Sequence, residues 1–286
     1  MSGLEPVAIA GAKAVAKAVE EDPTEKTLLA KIAAESGELD PAARALAKRS
    51  TVKQHVRLKL MQPLGMLFGV PREYFATNFE NEMADRLADV PDEDLIAPKL
   101  SVAGPTVQGI AFTVEEPDLK AMYLNLLATA SDKRVEASAH PAFAEVIRQL
   151  TSEEARLLAG ALDAVHRAIV VIRRRITTTE DPTAQGHIVI ANHVVNMTSG
   201  NTPTWSAETA VYIDNWIRLG LVDVDYGSFL TAPGSYDWVS KNPRYLTAQA
   251  EFDTEELQVV EFGQGILSPT DFGRLFHRVV MGQSDA

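Results

Sequence analysis

Between Leu119 and Leu158 the chain reads LKAMYLNLLATASDKRVEASAHPAFAEVIRQLTSEEARLL. Leu119, Met122, Tyr123, Leu126 and Leu127 recur at the spacing that places them on one helical face. Phe143, Val146, Ile147 and Leu150 repeat the pattern, and Leu157, Leu158, Leu162 and Val165 give it a third time. Each run has a start signal. Pro117 and Pro141 stand at first-turn positions, and Thr151 with Glu154 has the spacing of a capping box. Three amphipathic helices in close succession must bury their stripes against neighbours, so the centre of the chain is committed to helical packing. No nucleophile, metal cluster or phosphate loop lies within this block.

Composition narrows the class. The 286 residues are 46% hydrophobic and 23% charged, ordinary for a globular protein and long enough to bury a sizeable core in one or two domains. The chain has no cysteine, which removes disulfides, thiolate catalysis and cysteine zinc sites together. A formal net charge of −12 disfavours non-specific binding to duplex DNA. The run Pro6–Val19 is broken by Gly11, Lys13 and Lys17 and reads as a helix, not a signal peptide. No window has the roughly 18–20 apolar residues of a membrane span. A cytoplasmic protein is expected.

The N-terminal part is segregated by charge. Residues 41–72 carry seven basic residues and no acid, and residues 73–96 carry eight acids against Arg86 alone. The two blocks could pair in the fold, or the basic one could serve an anionic partner. Helices are predicted at 5–21, 24–35, 41 to about 62, Arg72–Leu87 and Ser101–Val114, the last entered near Gly104-Pro105. Beyond residue 165 the pattern changes. Ile169–Thr179 is rich in β-branched residues and reads as a strand, Gly186–Met197 is ambiguous, and Ser206–Leu219 reads as a helix. Leu221–Asp225 and Leu257–Phe262 read as strands around a long loop. Ile266–Ser268 is expected to complete a hairpin through Gly263 and Gly265, before a last helix at Asp271–Met281. The sum predicts a mainly α protein: a helical N-terminal region (1–98), a central helical block (99–150) and a winged-helix-like α+β module (151–282).

A winged helix suggests DNA, but the expected reading helix offers Glu208, Asp214 and Asn215 with the single cation Arg218, followed by Asp223 and Asp225. An acidic helix is a poor reader of a polyanion. Arg173, Arg174 and Arg175 give this module one basic spot, though on a strand their side chains alternate between faces. The better anion-binding candidates are Arg44, Lys48, His55 and Lys59, near one side of the helix at 41–60. Val52, Val56 and Leu60 form its apolar row, and residues 41–71 could lie on an anionic membrane surface or on RNA. The alternative is an amphipathic helix with solvated lysines whose row joins the core.

Catalytic motifs are sparse. Arg134 and His140 have the Arg-x5-His spacing of a class of helical ribonucleases, where histidine moves a proton and arginine steadies phosphate charge. Arg49 and His55 share that spacing, and Pro141 after it makes His140 a helix-entry residue first and the catalytic pair the lesser alternative. His187 and His193, six apart, do not make a helical zinc pair. Gly263-x-Gly265 is followed by Ser268 where a third glycine would stand, and Asp92, Glu93 and Asp94 read as a solvated loop. No metal or cofactor is expected.

Three segments together resemble a known family. They are LKAMYLNLLATASDK at 119–133, His140-Pro141-Ala142-Phe143 leading into EVIRQLTSEEA at 145–155, and ILSPTDFGRLF at 266–276. The chain from about residue 73 to 280 is similar to the abortive infection alpha (Abi-alpha) family of bacteria. The resemblance implies a role in bacteriophage resistance and brings no catalytic residue with it. The expectation is therefore a defence protein working through a protein partner or self-association, with a helical ribonuclease or a winged-helix nucleic-acid-binding regulator as alternatives.

Overall fold

The stripe residues predicted between 119 and 147 are all buried. The computed structural model describes residues 48–54, 72–177, 185–199, 202–204, 206–253 and 258–282. The chain divides into two units, one ending at Gln149 and the other starting at Leu150. In the first, helix α1 (Arg72–Thr77) and α2 (Phe79–Arg86) occupy the span read as a single helix. Asn78 separates them but stays right-handed, and its carbonyl still accepts from Glu82 N at 2.9 Å. Helix α3 (Leu100–Phe112) starts before Gly104-Pro105 and carries Pro105 inside it.

Helix α4 (Pro117–Ala130) packs against α2, α3 and α5 (Ala142–Arg148). It is buried on more than its predicted stripe, because Leu124 is as inaccessible as Leu126 and Leu127. The Tyr123 ring lies where a Cβ at Gly109 of α3 would stand, so glycine lets the two helices approach. Its hydroxyl donates to Ala144 O at 3.3 Å.

In the second unit, helix α6 (Ser152–Asp163) is opened by the expected capping box. Thr151 Oγ1 accepts from Glu154 N at 3.2 Å, and the Glu154 carboxylate accepts from Thr151 N at 2.8 Å. The other Glu154 oxygen accepts from Asn215 Nδ2 at 2.7 Å, which satisfies a buried carboxylate. Leu157, Leu158 and Leu162 are buried, but Val165 is exposed because the helix ends at Asp163.

The rest of this unit overturns the mainly α, winged-helix reading. Strands β1 (Arg167–Thr177), β2 (Gln185–Val195), β5 (Val222–Asp225) and β6 (Gln258–Pro269) form one four-stranded sheet in the order β2-β1-β6-β5. Every neighbouring pair is antiparallel. Short strands β3 (Met197–Ser199) and β4 (Thr202–Thr204) pair separately. The fold class is α+β.

The expected wing does not exist, since Gly263 and Gly265 lie inside the continuous strand β6. Neither has a positive φ. A Cβ on Gly263 would sit 2.9 Å from Val171 Cγ1, and one on Gly265 would strike the Tyr226 ring, so these glycines admit side chains across the sheet. The segment read as a long loop contains helix α8 (Pro243–Phe252), following α7 (Glu208–Arg218) in chain order. Asn242 caps α8 by accepting from Arg244 N at 2.9 Å, with Pro243 at its first turn.

One face of the sheet buries Val170, Ile172, Ala191, Val194 and Val260 together with Tyr236, Val239 and Ala248. Ile169, alternating with Val170, points to the opposite face. Helices α6 and α9 (Asp271–Val280) pack on β6, and α7 packs on β2 and β5, with Leu158, Ile213, Trp216 and Phe276 fully buried.

Two glycines of this unit should respond oppositely to alanine. Gly160 is exposed in α6, and an added methyl would meet nothing within 4 Å, so Gly160→Ala should stabilise by about 0.5–1 kcal/mol through unfolded-chain entropy. A Cβ at Gly273 would overlap the Leu221 carbonyl, which is backbone and cannot swing aside. Gly273→Ala should cost roughly 1–3 kcal/mol. Urea denaturation of the two variants beside wild type checks both signs.

Candidate functional site

The three consecutive arginines divide between the faces of β1, as strand geometry requires. Arg173 Nε donates to Glu261 Oε1 at 2.9 Å, and Arg175 reaches the other oxygen at 3.8 Å. His187 Nδ1 of β2 lies 3.4 Å from the same carboxylate. The register explains this group, because Arg173 pairs with Glu261 and Arg175 with His187 across the strands. Arg174 points the other way, its guanidinium 5.3 Å from the centre of the Phe252 ring. The basic spot is thus partly neutralised by Glu261 and is not a row of parallel cations.

Of the basic-helix candidates, Lys48 is exposed on the helical stretch 48–54, while Arg44, His55 and Lys59 lie outside the described residues. Arg49 pairs with Asp85 at 2.7 Å, one direct link between the basic and acidic blocks. Val52 is fully buried, so part of the apolar row joins the core. Most of 41–71, the candidate membrane-surface segment, also lies outside the described residues. No described helix is long and apolar enough to cross a membrane.

Arg134 and His140 each have a local structural role. The Arg134 guanidinium clamps Asp132, with Nε–Oδ1 at 2.9 Å and Nη2–Oδ2 at 2.7 Å, and the Arg134 amide donates to Oδ1 at 3.0 Å. The Arg134 side chain hydrogen bonds hold the buried Asp132 carboxyl below the usual carboxylate range, against the opposing pull of desolvation. His140 Nδ1 accepts from Ala142 N, the first amide of α5, at 3.1 Å, and its ring lies 5.7 Å from that of Phe143.

The most convergent polar geometry involves His193, Asp214 and Tyr226, none of which sequence reasoning assembled. Between the pairs Val170↔Val194 and Ile172↔Ala191, β2 spends an extra residue, a bulge. His193 lies in it at φ 52°, the left-handed region, and no other described non-glycine residue has a positive φ. Its Nδ1 is 3.1 Å from Tyr226 Oη, its backbone N donates to that oxygen at 3.2 Å, and its Nε2 is 3.2 Å from Asp214 Oδ1 on α7. The imidazole and phenol rings stack at 6.1 Å between centroids.

Tyr226 is seated as firmly as its partner. Its ring occupies the space left by Gly265, and Asp225 Oδ1 accepts from Gly227 N at 2.7 Å to turn the chain behind it. Tyr236 pins the same loop by accepting from Leu230 N at 3.0 Å and donating to Gly265 O at 2.9 Å. Burial pushes the Tyr226 hydroxyl pKa up, and the His193 amide works against that shift. A histidine in the left-handed region has no local sequence signal, and only the distant glycine Gly265 hinted at a close approach. Among the described residues no group of three or more histidine or acidic side chains could hold a metal ion.

The family model for abortive infection alpha matches residues 71–280. The chain belongs to the abortive infection alpha family. No curated protein and no solved structure matches it. The abortive infection alpha region runs through both units and takes in the Arg134–Asp132 clamp, the Glu261 cluster and the His193 group. Arg44, Lys48, His55 and Lys59 fall before it.

The clamp predicts an acid-sensitive contribution to stability. Because the folded pKa of Asp132 is depressed, its contribution is fully present above the unfolded carboxylate value of about 4 and is lost as pH falls through the folded value. Asp132→Ala should cost roughly 1–3 kcal/mol at pH 7. The difference from wild type should shrink below about pH 4, which urea melts across the acid range would show.

Proposed function

We propose that this member of the abortive infection alpha family is a phage-defence protein that works by protein contact, through the free edge of its sheet. The observation that carries the reading is the position of β2. Among the described residues β2 pairs on one side only, as the edge of the order β2-β1-β6-β5, and its outer half carries Ile188 and Val189, 47% and 53% exposed. An open edge offers main-chain donors and acceptors to an extended segment of a partner, and side chains of alternating direction select it. Proteins that must stay solitary usually blunt such edges with bulges, lysine or proline; the bulges of β2 lie beyond Val189, and Gly186–Val189 contains neither lysine nor proline. The occupant we favour is therefore an extended segment of a partner protein. Family membership supplies the biological setting.

The test is plating efficiency on a bacterial host with and without the gene, across a broad phage panel. At least one phage should plate less efficiently when the gene is present. Ile188→Lys with Val189→Lys, both on exposed positions, should leave the melting temperature nearly unchanged and abolish that protection. A panel showing no difference would remove the defence reading. Full protection by the folded double variant would remove the edge strand as the contact.

A further inference from the structure

We propose that Asp214, His193 and Tyr226 form a proton relay that makes Tyr226 a nucleophile toward a neutral acyl group. The hydrogen positions follow from the partners. The His193 amide can only donate, so the Tyr226 oxygen accepts there at 3.2 Å and is left to direct its own hydrogen at Nδ1, 3.1 Å away. Nδ1 is then the acceptor nitrogen, and the hydrogen belongs on Nε2, facing Asp214 Oδ1 at 3.2 Å. A nucleophile, a base within hydrogen-bond reach and a third group orienting the base is the arrangement that activates hydroxyl nucleophiles. Tyr226 is 38% exposed, so an incoming molecule can reach it.

The backbone is bent to achieve this. His193 holds a left-handed conformation that histidine adopts at a cost, and Gly265 gives up a side chain to admit the phenol. The electrophile follows from charge. Asp214 lies within electrostatic reach of Tyr226, so a phosphate anion would be repelled and an uncharged ester would not.

In the step, Tyr226 Oη bonds to the acyl carbon as its proton passes to His193 Nδ1, and Asp214 steadies the imidazolium. The bond to the leaving oxygen breaks, and that oxygen takes the proton from His193. The products are an O-acyl tyrosine and an alcohol or phenol.

The probe is p-nitrophenyl acetate with the full-length protein. A burst of about one equivalent of p-nitrophenol per chain is expected, with the acetyl group located on Tyr226 by peptide mass spectrometry. Tyr226→Phe should abolish the burst. His193→Asn, a residue that tolerates the left-handed region, should slow it roughly a hundredfold near neutral pH. That deficit should narrow as pH rises toward the range where a phenol ionises unaided. Asp214→Asn, altering a largely solvent-exposed side chain, should slow the burst with the same pH signature and carries the test if His193→Asn does not fold. Absence of acetyl on Tyr226, or equal labelling rates in wild type and the folded relay variants, overturns the proposal.

Discussion

Strand β1 is paired on both sides, and the second unit depends on that double pairing. Its register with β6 runs unbroken from Arg167↔Leu267 to Ile176↔Gln258, whereas its register with β2 shifts twice. The regular side sets the faces. Val170 and Ile172 point into a core with Val260, Tyr236 and Val239, while Arg173 falls opposite Glu261. A one-residue slip would exchange these faces and turn Arg173 and Arg175 toward the apolar layer, so burial holds the register. The irregular side absorbs the mismatch at His193. The charge cluster and the polar relay are thus two outcomes of one strand being matched to two partners.

The helical half was legible because its signals are local. Stripes at helical spacing, Pro117 and Pro141 at helix starts and the Thr151–Glu154 pair each act within a few residues, and all but Val165 of the third stripe appear where the pattern placed them. The sheet was not legible, for a physical reason that Gly263 and Gly265 make plain. In sequence a closely spaced glycine pair reads as a turn, since glycine is the residue of tight turns. In β6 the pair serves proximity to Val171 and Tyr226, side chains remote in sequence. The long loop read between Asp225 and Leu257 erred in the converse way, since Asn242 and Pro243 within it form a helix cap and first turn.

The candidate sites divide along the same line. Arg173, Arg174 and Arg175 could be named from the sequence, and their alternation followed from strand geometry. Their restraint by Glu261 needed a partner 88 positions away. Arg134 and His140 were visible as a spacing, yet Arg134 turns back two residues to clamp Asp132 and the His140 ring accepts from the first amide of α5. Spacing reports which residues could meet and says nothing of who else meets them first.

The His193 bulge shows how an unfavourable backbone conformation is held in place. A left-handed histidine persists only where its surroundings over-determine it. Here a hydroxyl lies on one ring nitrogen and the backbone amide, and a carboxylate lies on the other nitrogen. Those partners come from α7 and from the turn after β5, so the strain joins a helix, a loop and an edge strand at one residue. The bulge also marks a division along β2. Toward Val195 the strand is locked to α7 and Tyr226, and toward Gly186 it carries the exposed Ile188 and Val189.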